Sequence, residues 1–172
     1  VNVVLTHLVS AKPRTGWSTF RSAGRRWYAN PGALRHHDKL IGFATEHGMV
    51  VSAILLIRFG DGDGDGEGDG DFVKSLVHPQ ANRAGHYAMP NLLDAAGVAA
   101  YSAAITLLSR RYGQPGDPHG RITNWIVHNE VDYGFEWTNM GEQPPMLYFD
   151  TYMRSMRLVH NLVRRDNPNA RV

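Results

Sequence analysis

The sequence predicts an α/β fold in which parallel strands are joined by helical crossovers, and three observations carry that expectation. Strand-like and helix-like segments alternate in the order β, α, β, α, β, α and the start of another β. Met49 to Phe59 is an almost unbroken apolar run, the pattern of a parallel strand covered on both faces. Connections from strand to helix (Val9 to Asn30, Gly60 to Pro90, Asp132 to Pro145) are long, whereas those from helix to strand are shorter. That asymmetry places functional loops at the carboxyl ends of the strands, in an eightfold barrel and in an open doubly wound sheet alike.

Val1 to Leu8 is rich in aliphatic and β-branched residues and reads as a strand ending near His7. The segment from Val9 to Asn30 reads as a long polar and aromatic loop. Asn30-Pro31 then opens a helix, with Asn at the N-cap and Pro at the first helical position, and Leu34, His37, Leu40, Ile41 and Ala44 form its apolar stripe. Gly48 ends it as a left-handed residue beyond the last turn. After the Met49 to Phe59 strand comes G-D-G-D-G-D-G-E-G-D-G-D, residues 60–71, a loop insertion too glycine-rich for a regular element and too acidic to bury. Asp61, Asp63, Asp65 and Gly66 match the first half of an EF-hand loop, but its twelfth position is Phe72 rather than Glu, so a solvated insertion is expected instead of a calcium site.

Residues 71–90 continue this excursion with His78, His86 and Tyr87, whose spacing pairs no two zinc ligands. Asn91 to Arg111 is a strong helix with a broad Leu and Ala face, and Met146 to Arg165 is the last. Between them lies an apolar strand entering Arg121 to Gly141, and Ala170 to Val172 reads as the first residues of a further strand.

Composition narrows the function classes. With 42% hydrophobic and 20% charged residues, the 172-residue chain is ordinary globular material. Its net charge of +2 comes with basic residues scattered as pairs (Arg25-Arg26, Arg110-Arg111, Arg164-Arg165), each reading as a solvated helix end, so no nucleic-acid partner is expected. The absence of cysteine excludes disulfides, thiolate metal sites and thiol nucleophiles. No window is long and apolar enough for a membrane span, and no G-x-G-x-x-G opens a helix after a strand. A start at Val1 inside a strand-like run, with no initiator Met or signal peptide, suggests a piece of a longer protein and leaves the compartment open.

The chemistry concentrates in R-I-T-N-W-I-V-H-N-E-V-D-Y-G-F-E-W-T-N-M-G, residues 121–141. An apolar strand turns abruptly polar at His128, Asn129 and Glu130, with Tyr133 and Trp137 close behind. An amide, a carboxyl group and aromatic faces suit a hydroxyl-rich ring, which needs polar partners, a platform for its C–H side and an acid for the leaving oxygen. The alternative is that Glu130 pairs with an arginine or simply leaves the strand into solvent. Asp132, Glu136 and Glu142 read as helix-flanking or solvated acids. The alternation places His7 and Arg58 at the same rim as Glu130.

A hydrophobic strand ending in Asn-Glu resembles the fourth strand of the (β/α)8-barrel glycoside hydrolases of clan A. More narrowly, W-I-V-H-N-E-V and W-T-N-M-G, with A-M-P-N-L and L-L-S-R-R-Y-G upstream, are similar to a bacterial barrel family of unassigned function related to that clan. His128 departs from the small residue often found there. The resemblance implies a partial TIM-barrel-like fold, from about the second strand to the start of the fifth, whose remainder lies in a longer parent chain. It implies a retaining mechanism on an oligo- or polysaccharide: Glu130 as acid/base, Asn129 bonding the 2-hydroxyl, and a nucleophile beyond Val172. Trp137 or Tyr133 would stack on the sugar, and His128, His7 and Arg58 would bond its hydroxyls or orient Glu130. Such hydrolysis needs neither cofactor nor metal, and the isolated segment should be inactive, with exposed apolar surface. The competing expectations are a carbohydrate-binding relative without hydrolysis and an enzyme of another kind on the same sheet.

Overall fold

A computed structural model describes residues 1–60 and 70–172. The partial calcium motif at Asp61, Asp63, Asp65 and Gly66 therefore lies outside the described residues. In chain order the elements are β1 (Asn2–Val4), a 3-10 turn at Leu5–His7, β2 (Val9–Ser10), β3 (Ser18–Ser22), β4 (Arg25–Ala29), α1 (Pro31–Glu46) and β5 (Ser52–Leu56). They continue as α2 (Gly70–Leu76), α3 (Ala95–Tyr112), β6 (Asn124–Val127), a 3-10 turn at Val131–Tyr133, α4 (Gly134–Trp137) and α5 (Pro145–Asp166).

The fold is α/β around a three-stranded parallel sheet ordered β1-β5-β6. Each strand pairs with the next parallel strand in sequence, and Arg171 adds a parallel bridge to Asn124, where the sequence places the start of a further strand. The register sets Val3 beside Leu55 and Ala53 beside Trp125, and all four are buried in one core with Leu34 and Ile41 of α1, Ala100 and Ala104 of α3, and Val159 and Val163 of α5. Alternate residues point the other way. On that face Ser52, Ile54 and Asn124 are half-buried and Ile126 is exposed, whereas Leu56 is buried, so β5 is covered on both faces only at its carboxyl end and not along the whole of its apolar run.

The segment from Val9 to Asn30 is not a loop. It forms a second, antiparallel sheet ordered β2-β4-β3. Ala23 and Gly24 both have positive φ (48° and 72°), as a two-residue hairpin turn matched to strand twist requires. Trp27 anchors the centre of this hairpin in the core, its Nε1 donating to the Ser22 carbonyl at 3.1 Å, with Phe20 packed against the core opposite it, while the arginines face solvent. A polar hairpin with one deeply buried ring shows little periodicity in sequence. Arg25-Arg26 thus belongs to a strand, whereas Arg110-Arg111 and Arg164-Arg165 do occupy last helical turns.

Helix α1 starts where expected. Asn30 Oδ1 accepts from the N–H groups of Gly32 and Ala33, and Asn30 Nδ2 donates to the His7 carbonyl at 3.0 Å, tying the cap to the end of β1's turn. Leu34, His37 and Ile41 are buried, but Leu40 is exposed. Strand β1 is shorter than expected because Leu5–His7 coil into a 3-10 turn. The excursion after residue 70 contains α2, which buries Phe72 and Leu76. Helix α3 begins at Ala95 rather than Asn91, since Asp94 caps it through Gly97 N–H (2.7 Å) and Asn91 braces Asp94. Arg111 forks onto Asp38 at 2.7 and 2.8 Å, joining α3 to α1; burial works to raise the Asp38 pKa, but the Arg111 and Tyr112 bonds outweigh it and hold it low. No described helix is long and apolar enough to cross a membrane.

Candidate functional site

Strand β6 stops pairing at Val127, and the next three residues turn sharply. His128 (φ 66°) and Glu130 (φ 40°) both sit in the left-handed region, and Ala23 is the other non-glycine residue there among those described. Each such residue costs on the order of 1 kcal/mol or more and persists where surrounding contacts impose it. For His128 those contacts are visible. Its ring is buried, with Nε2 2.9 Å from Ser155 Oγ, which is in turn 3.0 Å from the Tyr101 hydroxyl. The rings of Tyr101 and Tyr152 pack beside it. Burial lowers its pKa to about 4, so it is neutral at pH 7. His128 therefore faces α3 and α5 instead of the rim where a substrate contact was expected.

Two residues later the chain does the opposite with Glu130. Its carbonyl accepts from Tyr133 N–H at 2.8 Å, and its side chain is exposed, with no hydrogen bond or ion pair among the described residues. Asn129, between the two left-handed residues, is half-buried. No arginine pairs with Glu130, which disposes of one alternative for it within the described chain.

The remaining candidates divide into groups. Arg58, just past β5, bridges Tyr87, and the Tyr87 ring stacks on Trp137 at 5.3 Å with an interplanar angle of 10°. One face of Trp137 is thus occupied by Tyr87, and the residue is half-buried. Tyr133 is 59% exposed in the turn after Glu130. His7 ends the turn after β1, and its described bond is the Asn30 contact to its carbonyl, so nothing joins it directly to Glu130. Glu136, read as a solvated acid, is paired with His86.

Beside this turn lies an open cavity of about 700 Å3 that sequence reasoning missed, lined by Val131, Asp132, Phe135, Glu142, Gln143 and Tyr148 among others. Its size falls within the roughly 300–1,000 Å3 range of ligand pockets. The Tyr148 hydroxyl donates to the Val131 carbonyl at 2.7 Å and bonds Thr138, so α5 props the loop that follows Glu130. A Cβ at Gly134 would come within 2.7 Å of the Tyr148 hydroxyl, so glycine is needed for this approach. Burial raises the Tyr148 pKa, keeping the phenol protonated as a donor. The cue present in sequence is the glycine between aromatic residues, but its partner lies in the next helix. Among the described residues, no three His, Asp or Glu side chains gather to hold a metal ion.

The profile of a family described as a family of unknown function, DUF5722, matches residues 1–172. The chain belongs to that family. No curated protein and no solved structure matches this DUF5722 member. Membership supplies no activity, so the chemistry of the site has to be argued from the Asn129-Glu130 turn, the Arg58-Tyr87-Trp137 group and the cavity beneath Tyr148.

Proposed function

We propose that this DUF5722 chain is the acid/base-bearing segment of a retaining glycosidase acting on O-glycosidic bonds of an oligo- or polysaccharide, on a (β/α) barrel completed by strands outside residues 1–172. The observation that carries the reading is the carboxylate of Glu130, presented at the carboxyl end of a parallel strand on a strained turn whose inner residue is locked by a buried hydrogen-bond chain. Sequential parallel pairing with a single helix-covered face is also what a sector of a barrel requires, whereas a doubly wound sheet carries helices on both faces.

In this mechanism Glu130 donates a proton to the glycosidic oxygen as a second carboxylate, about 5 Å away on another strand, attacks the anomeric carbon; it then takes a proton from the water that releases the sugar. Asn129 bonds the 2-hydroxyl, and Trp137 or Tyr133 takes the sugar ring. The cavity beside the turn holds the next unit of the chain, with Phe135 as an aromatic wall and Gln143 as a polar partner.

The test is turnover of aryl glycosides by the full-length protein and its Glu130→Gln variant. Loss of about 10²–10⁴ in rate for poor leaving groups, with little loss for activated ones, is expected if Glu130 is the proton donor. A second reading, a carbohydrate-binding relative that does not hydrolyse, is favoured by the exposure of Glu130 beside an aromatic-walled cavity. Sugar binding without turnover by either protein selects it. Activity indifferent to Glu130 removes the hydrolase reading altogether.

A further inference from the structure

Three arginines that look unrelated in sequence meet on the opposite, helical side of the molecule. Arg21 ends the outward-facing part of β3, Arg110 lies in the last turn of α3, and Arg165 lies in the last turn of α5. They line one cavity of about 310 Å3 with the buried hydroxyl residues Ser22, Ser102 and Thr106. No Asp or Glu lines it. Two of the guanidinium groups are steadied by main-chain carbonyls instead of carboxylates: Arg110 donates to the Arg21 carbonyl at 3.0 Å, and Arg21 to the Gly24 carbonyl at 3.3 Å. Among the described residues, Arg165 is the one of the three that touches an acid, the neighbouring Asp166, at 3.3 Å. Asp166 also accepts from Ser109 at 2.9 Å.

The hydroxyls are arranged in a chain. The single Ser22 hydroxyl proton is directed at both the Ser102 carbonyl (3.3 Å) and Thr106 Oγ1 (3.0 Å), which fixes the two hydroxyl groups side by side at the cavity wall. Carbonyl oxygens hold a guanidinium in place without cancelling its charge. Its remaining N–H groups, set in a planar fork, match two oxygens of a phosphate or sulfate. A concave site with low-dielectric walls and one sign of charge concentrates such an ion. The volume sits at the low end of ligand pockets, which suits one tetrahedral group and a small remainder better than a polymer.

We propose that the Arg21, Arg110 and Arg165 cavity binds a tetrahedral oxyanion, a phosphate or sulfate group carried by a small ligand. This assignment is independent of hydrolysis at Glu130. To test it, the purified chain is titrated with inorganic phosphate, sulfate and phenyl phosphate, against chloride at matched ionic strength, while arginine Nε resonances are followed. Saturable one-to-one shifts centred on these three arginines are expected for phosphate or sulfate, and which of the two saturates first identifies the natural source. Tighter binding of phenyl phosphate would mark an ester as the ligand.

Arg110→Gln, and separately Arg165→Gln, should each weaken binding about tenfold, the size of one charge-assisted hydrogen bond. Arg26→Gln removes the same charge from a neighbouring exposed position outside the cavity and should leave affinity unchanged. An equal response to chloride, an equal loss in Arg26→Gln, or binding of duplex DNA or anionic vesicles without saturable binding of the small anions would overturn the proposal.

Discussion

The two faces of the parallel sheet have the same backbone and opposite fates. Val3, Ala53, Leu55, Trp125 and Val127 point into the core beneath the helices, whereas Ser52, Ile54, Asn124 and Ile126 remain partly in contact with water. On the open face, Asn124 Nδ2 reaches Ser52 Oγ across the strands at 2.9 Å, a polar pair that a wholly apolar layer would not contain. Apolar area removed from water is what stabilises the sheet, at roughly 25 cal/mol per Å2. Neighbouring residues on one strand should therefore differ several-fold in what they contribute.

The sharpest way to break that comparison is at adjacent positions of β6. Trp125→Ala, measured by denaturant unfolding, should lose about 3–5 kcal/mol through the cavity it leaves. Trp125→Phe should lose far less, because Nε1 of Trp125 is buried without a hydrogen-bond partner among the described residues. Acid should have the next largest effect. Burial lowers the His128 pKa from its ordinary 6.5 to about 4. The unfolded chain therefore binds a proton over that interval and the folded chain does not, so stability is full above pH 6.5 and falls as pH drops toward 4, by at most about 3 kcal/mol. His128→Gln should flatten this slope in unfolding curves taken between those limits. The smallest effect is expected on the open face, where Ile126→Ser should change stability by no more than about 0.5 kcal/mol. A loss there as large as that of Trp125→Ala would mean that the open face is covered in solution.

The same contrast is compressed into three residues at the end of β6. His128 turns inward onto Ser155, Glu130 turns outward, and both adopt positive φ. The inner residue is held by Ser155 of α5, which Tyr101 of α3 bonds in turn.

Local chemistry made several features legible before any coordinates. Asn30-Pro31 announces the start of α1, Gly48 its end, and the apolar run around Ser52–Leu56 a strand, because a cap, a left-handed glycine and hydrophobic continuity act between near neighbours. The β2-β4-β3 hairpin was not legible, since its polar strands show no clear alternation and Val9 pairs with Ala29, twenty positions away. The Asn129-Glu130 pair stands out in sequence as polar residues ending an apolar strand, but nothing local says that His128 faces Ser155, that Trp137 is stacked on Tyr87, or that Tyr148 closes a cavity behind the turn.

What the sequence determined by itself was the α/β class, the parallel strands with their long helices and the cap of α1, all set by short-range sterics and the period of apolar residues. Tertiary structure alone decided which side chains share a site. Arg21, Arg110 and Arg165 converge, and His128 and Glu130 diverge, because burial and hydrogen bonding between distant segments set side-chain direction, and those terms depend on distances that spacing along the chain does not encode.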